Sequence, residues 1–233
     1  QHESDIWILN PDTEPSPGAL TALQMRARAG NFGITGGRLI MRETGRVQLD
    51  GGRWRKWIAR GFNLNFNAPA DSAADQAAVE QAMDYVSGAC MYVTRAFING
   101  VGLMDDRFFL YAEEVDWCLR RKHFRLGFAP EAVILHGHGT TTGASGALAE
   151  RSALSVYLEH RNKHLLTRRH FPLAWPLIAL ITLALTGEYL VKGAPRNFLV
   201  ALAGWWHGVL GRSGRPARIP FGGANRGWPS EIS

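Results

Sequence analysis

Hydrophobic residues in the first 150 positions occur in short runs separated by Gly, Pro, Asn and Asp. Short apolar runs of this kind are typical of strands, and apolar residues spaced by three or four positions indicate helices. Helices are predicted at 17–29, with Ser16 as N-cap, and at 95–99, 113–123 and 149–169. Because strands and helices alternate, the predicted fold class is α/β, a mixed sheet flanked by helices. The predicted strands are 5–9, 37–42, 46–49, 85–94, 126–129 and 132–136.

Residues 50–80 follow neither pattern. They contain the basic and aromatic run Arg53-Trp54-Arg55-Lys56-Trp57 and an Ala- and Asp-rich stretch at 68–78. We therefore predict irregular structure here, with the second stretch forming a surface loop.

The last part of the chain is apolar over longer stretches. No residue from His170 to Gly187 is formally charged, and a second apolar stretch at 198–210 carries two tryptophans. Eighteen helical residues span roughly 27 Å, just short of a bilayer core. Basic residues flank both stretches, and Trp combined with Arg is typical of a chain at an anionic membrane surface. We predict two domains, one at 1–169 and a membrane-associating helical tail at 170–233. The tail would be peripheral or would span the membrane once, and the alternative is a helical hairpin buried in the globular domain.

The net charge of +6 divides unevenly along the chain. Residues 151–233 hold eleven Lys and Arg against three Asp and Glu, a net charge of +8, whereas residues 1–150 hold fifteen against seventeen, a net charge of −2. The basic residues of the tail flank Trp-bearing apolar segments and do not line a polar groove, so nucleic acid is not predicted as a partner. Cys90 and Cys118 are too few for a disulfide scaffold, and no secretory signal opens the chain, so we expect a reducing, cytoplasmic setting.

Two segments carry residues suited to a divalent cation. Asp12 follows the first predicted strand, at the edge where open α/β sheets bind ligands, and its oxygens suit a cation shared with phosphates. A simple Asn-Pro-Asp turn at 10–12 is the alternative. His136 ends the last predicted strand and opens the sequence His-Gly-His-Gly at 136–139, where histidine can complete a metal site. A loop with solvated histidines is the alternative there.

An acidic cluster opens the helix predicted at 113–123. Carboxylates in a first turn are favoured by the helix dipole, but neighbouring like charges also raise the proton affinity of one member, which suits a general base. Glu113 and Asp116 share one face, and Arg120 lies one turn beyond Asp116 and can pair with it. Glu114 points elsewhere and is the freer acid. The aromatic run before the cluster would give a carbohydrate or lipid acceptor an apolar wall.

A histidine pair on the helix predicted at 149–169 has the spacing of zinc ligands. His160 and His164 lie four residues apart, as such ligands can. No third ligand has a convincing position, and the neighbouring arginines disfavour a cation. We therefore do not predict zinc there.

Six segments of the chain, in their order and separation, resemble the inverting family-2 glycosyltransferases of the GT-A fold. The resemblance points in particular to a bacterial rhamnosyltransferase-like branch that builds cell-surface polysaccharides. It runs from Gln1 to about Phe171 and is looser in the apolar tail. The segments that carry it are 7–13 (WILNPDT), 84–93 (DYVSGACMYV), 102–111 (GLMDDRFFLY), 113–120 (EEVDWCLR), 130–136 (PEAVILH) and 157–162 (YLEHRN).

The resemblance implies roles for individual residues. Asp12 corresponds to the acid that binds the divalent metal, Mg²⁺ or Mn²⁺, and the donor diphosphate, and His136 falls where a histidine can ligate the same metal. Glu114 falls at the catalytic base, which the family usually writes as an aspartate in an acidic pair; Glu113 or Asp116 are the alternatives. The acceptor pocket is expected to include Ser87, Gly88, Asp105, Asp106, Tyr111 and Trp117.

The implied function is transfer of rhamnose or another hexose from a nucleotide-diphosphate sugar to a lipid-linked or polysaccharide acceptor. The base deprotonates an acceptor hydroxyl, which displaces the diphosphate from the opposite face of the anomeric carbon and inverts its configuration. The expected place is the cytoplasmic face of the inner membrane, in cell-surface polysaccharide biosynthesis. The alternative is a non-catalytic, membrane-associated scaffold derived from a truncated transferase.

The resemblance also implies that a part of the family pattern is missing. The family begins with a nucleotide-binding half, and none of it precedes Gln1. The chain is therefore expected to be the C-terminal portion of such an enzyme, with a GT-A fold incomplete at the N-terminus. We expect weak or absent nucleotide binding, and a separate N-terminal segment or a second copy of the chain as a partner.

Overall fold

A computed structural model describes residues 4–137 and 147–222. They divide into two units, which are described separately. The first contains residues 4–106 and 112–137, and the second contains residues 107–111 and 147–222. The domain boundary predicted between residues 169 and 170 stays a prediction.

The first unit is built around a mixed sheet of six strands. The strands of the chain are β1 (Ile6–Leu9), β2 (Thr13–Pro15), β3 (Phe32–Met41), β4 (Val47–Leu49), β5 (Gly52–Arg55), β6 (Arg60–Asn63), β7 (Cys90–Val93) and β8 (Arg125–His136). The sheet has the order β1-β7-β3-β8-β2, with β4 paired to β3, while β5 and β6 form a separate hairpin. The long strands β3 and β8 run parallel, and the other pairs are antiparallel.

Helices flank this sheet, which confirms the predicted α/β class and is consistent with a GT-A-like fold. The helices of the first unit are α1 (Ala19–Arg28), α2 (Gln76–Ala82), α3 (Arg95–Val101) and α4 (Glu113–Leu119). In α1, the buried residues Ala19, Leu23 and Ala27 follow one another at four-residue spacing and so share one face. This face belongs to a core cluster that includes Leu39 and Ile134 of the sheet.

The prediction of irregular structure at 50–80 is wrong in two places. The hairpin β5–β6 lies in this segment, and α2 begins within the predicted surface loop, where the Asp75 carboxylate accepts a hydrogen bond from the Ala78 amide at 3.0 Å. The hairpin strands are mostly charged and aromatic, with little apolar alternation to reveal them. A capping aspartate is a recognisable helix signal, but an Ala- and Asp-rich composition is shared by loops.

Other predicted elements differ in their bounds. The N-cap of α1 is Gly18, with φ 84°, and not Ser16. The strand predicted at 85–94 is confined to β7, because residues 87–90 form a turn in which the Cys90 amide donates to the Ser87 carbonyl. The two strands predicted at 126–129 and 132–136 are the single strand β8, whose pairing with β3 shifts register after Ala129 and so accommodates Pro130.

The second unit is helical. Its helices are α5 (Ala153–His170), α6 (Trp175–Thr186), α7 (Glu188–Val191) and α8 (Pro195–Val209). Ser152 caps α5 by accepting a hydrogen bond from the Ser155 amide at 3.1 Å. The core includes Val156 and Leu158 of α5 with Val200 and Ala201 of α8.

The apolar segment predicted at 170–187 forms a shorter helix than its composition suggests. The helix α6 has 12 residues, with a proline in its first turn, where the missing amide hydrogen costs no helical bond. Over residues 4–137 and 147–222, none of the helices combines the length and the hydropathy needed to cross a membrane.

Candidate active site

Asp12 and His136 meet at the edge of the sheet. Strand β2 pairs with the end of β8 so that Thr13 lies opposite His136, and the Gly137 amide donates to the Asp12 carbonyl at 3.0 Å. As a result, Asp12 Oδ1 lies 3.4 Å from His136 Nε2. The structure thus brings together the two residues that the sequence places 124 positions apart.

Gln48 of β4 orients the His136 ring. Its Oε1 lies 2.7 Å from His136 Nδ1, and both residues are buried. Because an amide oxygen only accepts, Nδ1 carries the hydrogen, and in the neutral ring the lone pair of Nε2 faces the Asp12 carboxylate. Two acceptors in this position repel each other unless a proton or a cation lies between them. This arrangement resembles the outer-shell support that metal-binding histidines receive.

The residues described here do not form a complete metal cage. Among residues 4–137 and 147–222, no group of three His, Cys, Asp or Glu side chains is placed to hold a metal ion. The predicted pair would supply two ligands, and Mg²⁺ commonly takes its others from phosphate oxygens and water. His138, in the segment predicted to complete the site, lies outside the described residues.

The acidic cluster lies in the first turn of α4, as predicted. Ala112 immediately before it has φ 70°, a left-handed backbone that begins the helix abruptly. Asp116 is buried, and its Oδ2 accepts a hydrogen bond from Arg120 Nε at 2.8 Å, which confirms the predicted pairing. An ion-paired carboxylate accepts a proton less readily than an unpaired one. The Asp116 carboxylate is therefore occupied by a structural ion pair with Arg120.

Glu113 and Glu114 have the opposite electrostatic environment. Burial, and then the negative charge of Glu114, raise the pKa of Glu113 to about 8. Burial also raises the pKa of Glu114, although the backbone amides of Glu114, Val115 and Ala112 act in the other direction. Glu113 Oε2 is buried and makes no hydrogen bond within the part of the chain described. The pair therefore retains a proton near neutral pH, and its ionised form is a strong base.

The turn at 87–89 links the acid pair to the Asp12 loop. A Cβ on Gly88 would lie 3.7 Å from Glu114 Cβ, so the turn passes directly beside this acid. On its other side, the Asn10 amide donates to the Ala89 carbonyl at 3.2 Å. Asn10 is two residues before Asp12, so one short turn connects the two predicted halves of the site.

The remaining predicted acceptor residues have different surroundings. Asp105 is half-buried and Asp106 is exposed. Trp117 is 2% exposed, donates from Nε1 to the Gly102 carbonyl at 2.8 Å and packs edge-on against Phe97, so its side chain contributes to the core. Tyr111 belongs to the second unit, and its hydroxyl is buried without a hydrogen bond among the described residues. Acceptor binding by these residues, and by Ser87 and Gly88 beside Glu114, stays a prediction.

The loop at 107–111, which leads into α4, is held by two side chains of α5. Asn162 Nδ2 donates to the carbonyls of Phe108, Leu110 and Tyr111 at 3.0, 2.7 and 2.7 Å. Arg161 Nη2 donates to the Phe108 carbonyl at 2.8 Å, and its Nε donates to Asn162 Oδ1 at 2.9 Å, which fixes the orientation of the amide.

This loop has a strained backbone. Phe109 and Tyr111 have φ values of 66° and 67°, in the left-handed region that bulky residues rarely adopt. Such conformations cost free energy and persist where the surroundings enforce them, which here means the hydrogen bonds from α5. The chain then continues through Ala112 into Glu113.

Sequence reasoning assigned no role to Gln48, Arg161 or Asn162. The last two lie in a segment that carries the family resemblance, and they form an adjacent Arg-Asn pair on a helix. Both are almost fully buried, at 1% and 0% exposed. Polar residues of this size at buried helical positions indicate hydrogen-bonding partners elsewhere in the chain. The sequence does not reveal that these partners are backbone carbonyls.

The histidines with zinc-like spacing lie in an aromatic environment. His160 contacts Tyr189, and His164 contacts Trp175 and Trp205. Burial, and then the charge of Arg168, lower the pKa of His164 to about 4. Burial also lowers the pKa of His160. Both rings are therefore neutral packing elements at physiological pH.

The raised pKa of Glu113 predicts a pH-dependent stability. A carboxyl group whose pKa is higher in the folded than in the unfolded chain binds protons more tightly in the folded state. The free energy of unfolding therefore falls as the pH rises from the ordinary pKa of the group to its folded-state pKa, which is about 8 for Glu113. Glu113→Gln removes this effect. The difference in free energy of unfolding between the variant and the parent, measured by urea unfolding, is expected to shift in favour of the variant from pH 5 to pH 8. An exposed matched change, Glu131→Gln, should show no such trend, and an equal trend in both would contradict the assignment.

The proteins of known function that the chain matches are glycosyltransferases. No protein-family model matches the chain. The low-salt glycan biosynthesis hexosyltransferase Agl10 of Haloferax volcanii is 22% identical over 224 residues, which cover 94% of this chain and 70% of the relative. The N-acetylglucosaminyl-diphospho-decaprenol L-rhamnosyltransferase of Mycobacterium tuberculosis is 28% identical over 212 residues, which cover 83% of this chain and 66% of the relative. The chain thus spans about two thirds of the length of these relatives, and they support a role in glycosyl transfer.

Proposed function

We propose that this chain carries the catalytic and acceptor-binding region of an inverting glycosyltransferase. The proposed reaction transfers a hexose, such as rhamnose, from a nucleotide-diphosphate donor to a lipid-linked or polysaccharide acceptor. The observation that carries the proposal is the acid pair Glu113 and Glu114 at the start of α4, because the pKa of both carboxyl groups is raised. The turn at 87–89 lies beside Glu114 and contacts the Asp12 loop. The names of the two relatives support the hexose and the lipid-linked acceptor.

Glu114 is the proposed general base. Its side chain lies beside Gly88, in the turn where the resemblance places the acceptor. With the pair holding one proton, Glu113 supplies the neutral partner and Glu114 takes the proton of the acceptor hydroxyl. The hydroxyl oxygen then forms a bond to the anomeric carbon while the bond to the diphosphate oxygen breaks. A single displacement of this kind inverts the configuration and involves no glycosyl–enzyme intermediate.

Asp12 and His136 are the proposed ligands of a divalent cation. The observation that fits a cation is that Gln48 turns the lone pair of His136 Nε2 toward the Asp12 carboxylate at 3.4 Å. Bound Mg²⁺ or Mn²⁺ would neutralise the charge that develops on the leaving diphosphate. Asp12 and His136 would thereby hold the donor diphosphate close to the turn at 87–89, which contacts the Asp12 loop through the hydrogen bond from the Asn10 amide to the Ala89 carbonyl and lies beside Glu114.

The second unit is the proposed membrane-associating part. Its helix α6 and the segment before it leave apolar side chains in solvent, with Leu173 at 99% and Leu180 at 65% exposure. Trp206 of α8 is half exposed as well. Apolar side chains next to flanking arginines suit an interfacial position on an anionic leaflet. We place the protein at the cytoplasmic face of the membrane, where a lipid-linked acceptor is presented.

Product formation tests the proposed reaction. The full-length protein is incubated with UDP- and dTDP-hexoses, Mn²⁺ and N-acetylglucosaminyl-diphospho-polyprenol, and the products are separated by mass and by anomeric configuration. One added hexose of inverted configuration is the expected result. Binding of acceptor and membrane without turnover for any donor would favour the non-catalytic scaffold and overturn the proposal.

Gln48 offers a sharper test of the cation site. Replacing it with leucine removes the acceptor that holds His136 Nδ1–H, so the ring is free to rotate and change tautomer. Mn²⁺ affinity, measured by calorimetric titration, is expected to fall about 10- to 100-fold. The matched control is Gln76→Leu, since Gln76 bonds to the Phe128 carbonyl and lies away from this pair. Equal Mn²⁺ affinity in Gln48→Leu and the parent would exclude His136 as a ligand.

A further inference from the structure

The hairpin β5–β6 carries a dense group of cations in an otherwise acidic part of the chain. Residues 53–60 contain four Lys and Arg and no Asp or Glu, although residues 1–150 together have a net charge of −2. The four cations are Arg53, Arg55, Lys56 and Arg60, and all of them are exposed. Four of the fifteen Lys and Arg in residues 1–150 therefore lie within eight consecutive positions of this hairpin.

The pairing of the hairpin directs three arginines to one face. Arg55 lies directly opposite Arg60, and Arg53 lies opposite Phe62. Because cross-strand partners and alternate residues share a face, these three arginines lie side by side around Phe62. The Arg55 guanidinium is 4.2 Å from the centroid of the Phe62 ring. A group of exposed cations on one face of a hairpin attracts anions.

The opposite face of the hairpin is attached to the first unit. Trp54 and Gly61 are paired, and the ring of Tyr85 lies so close that a Cβ on Gly52 or Gly61 would be 2.1 and 2.4 Å from its nearest atom. The Trp54 amide also donates to Asp84 Oδ2 at 2.7 Å. This face is occupied by protein, so the arginine face is the one that remains outward.

The tip of the hairpin presents an aromatic side chain beside the cations. Trp57 lies in the short 3₁₀ turn Lys56–Ile58 and is 50% exposed, and the Lys56 ammonium is 5.0 Å from its ring centroid. An indole next to lysine and arginine is the combination found at the level of lipid headgroups. A soluble phosphate ligand would explain the arginines but gives no reason for a half-exposed indole at the tip.

We propose that the hairpin β5–β6 docks on an anionic lipid surface, with Arg53, Arg55 and Arg60 against the headgroups and Trp57 at the interface. This contact is additional to the one proposed for the helical unit and does not depend on the glycosyl-transfer reaction. Tyr85 connects the hairpin to the neighbourhood of Glu114, whose charge raises the pKa of the Tyr85 hydroxyl after the larger effect of burial. Docking would therefore hold the acid pair near the membrane surface.

Vesicle partitioning of the full-length protein tests the proposal. The probes are vesicles of phosphatidylcholine alone and of phosphatidylcholine mixed with phosphatidylglycerol. The triple variant Arg53→Gln, Arg55→Gln, Arg60→Gln is expected to bind the anionic vesicles about 100-fold more weakly, and binding to neutral vesicles should change little. Trp57→Ser is expected to weaken binding to both kinds of vesicle. Thermal unfolding of each variant checks that the hairpin still folds.

A variant of equal charge provides the control. Arg28→Gln, Arg121→Gln, Lys122→Gln removes three cations from the same unit and is expected to reduce anionic binding far less. An equal reduction in both triple variants would show a general charge effect and overturn the proposal. Displacement from vesicles by UDP at constant ionic strength would identify a phosphate site instead of a lipid surface. Retention on duplex DNA with the same dependence on the three arginines would identify nucleic acid, and would equally overturn it.

Discussion

Replacing Glu114 with glutamine is expected to abolish measurable sugar transfer while the donor still binds. General-base catalysis contributes about 10²- to 10⁴-fold, and glutamine has no site that accepts the acceptor proton. The side chain keeps its size, so the turn at Gly88 and the start of α4 should be preserved. The change is made in the full-length protein, and transfer is followed with radiolabelled donor while calorimetry measures donor affinity.

The neighbouring acid distinguishes the base from its partner. Glu113→Gln should keep transfer and leave the acidic limb of its pH profile in place, because Glu113 is still protonated and uncharged at the pH where Glu114 ionises. In the parent, activity should fall as pH decreases, since the base acts in its ionised form. If Glu114→Gln transfers sugar at the parental rate, or if only Glu113→Gln is inactive, Glu114 is not the base.

Replacing Asn162 with leucine is expected to destabilise the loop at 107–111 and to slow transfer. The carbonyls of Leu110 and Tyr111 lose the amide donor. An unsatisfied buried carbonyl costs about 1–3 kcal/mol, so the loss at these two carbonyls should lower the free energy of unfolding by about 2–6 kcal/mol. Once the left-handed backbone of Phe109 and Tyr111 relaxes, the chain leading into α4 changes direction. A displacement of about 1 Å at a catalytic group can cost about 10²-fold in rate.

Asn197 supplies the matched control for this experiment. It lies in α8 of the same unit, is buried, and its Nδ2 donates to the carbonyls of Leu148 and Arg151 at 2.6 and 3.1 Å. In urea unfolding, Asn197→Leu should lose about as much stability as Asn162→Leu. Under conditions where both variants are folded, its kcat should equal that of the parent. An equal fall of kcat in both variants would show that stability alone matters, and an unchanged kcat in Asn162→Leu would remove the positioning role.

Arg161 has a supporting part in the same arrangement. Its guanidinium bonds to Asn162, to the Phe108 carbonyl and, at 2.6 Å, to the Gly214 carbonyl. One buried cation thus satisfies backbone groups from two separate segments and aligns the Asn162 amide. Lysine at this position would keep the charge and lose the planar fork that reaches all of these oxygens. The Arg-Asn pair is best understood as a single unit that shapes the backbone before the acid helix.

Local features of the sequence were sufficient for much of the fold. The α/β class followed from alternating apolar runs, and the acidic first turn of α4 and the Asp116–Arg120 pair followed from spacing within a helix. These features are determined by interactions between residues close in the chain, so a linear pattern contains them. The sequence does not reveal the hairpin at 52–63, because its strands carry charged and aromatic side chains and are defined by their pairing rather than by apolar alternation.

The candidate site depended on contacts between distant parts of the chain. Asp12 and His136 were each recognised as candidates, but only the pairing of β2 with β8 brings them to 3.4 Å, and only the fold places Gln48 behind the imidazole. The raised pKa of Glu113 likewise comes from burial, which a list of acidic positions does not contain. The sequence by itself therefore determined which groups are available for chemistry. Tertiary structure decided their distances, burial and hydrogen-bond partners, because these depend on how separate segments pack against one another.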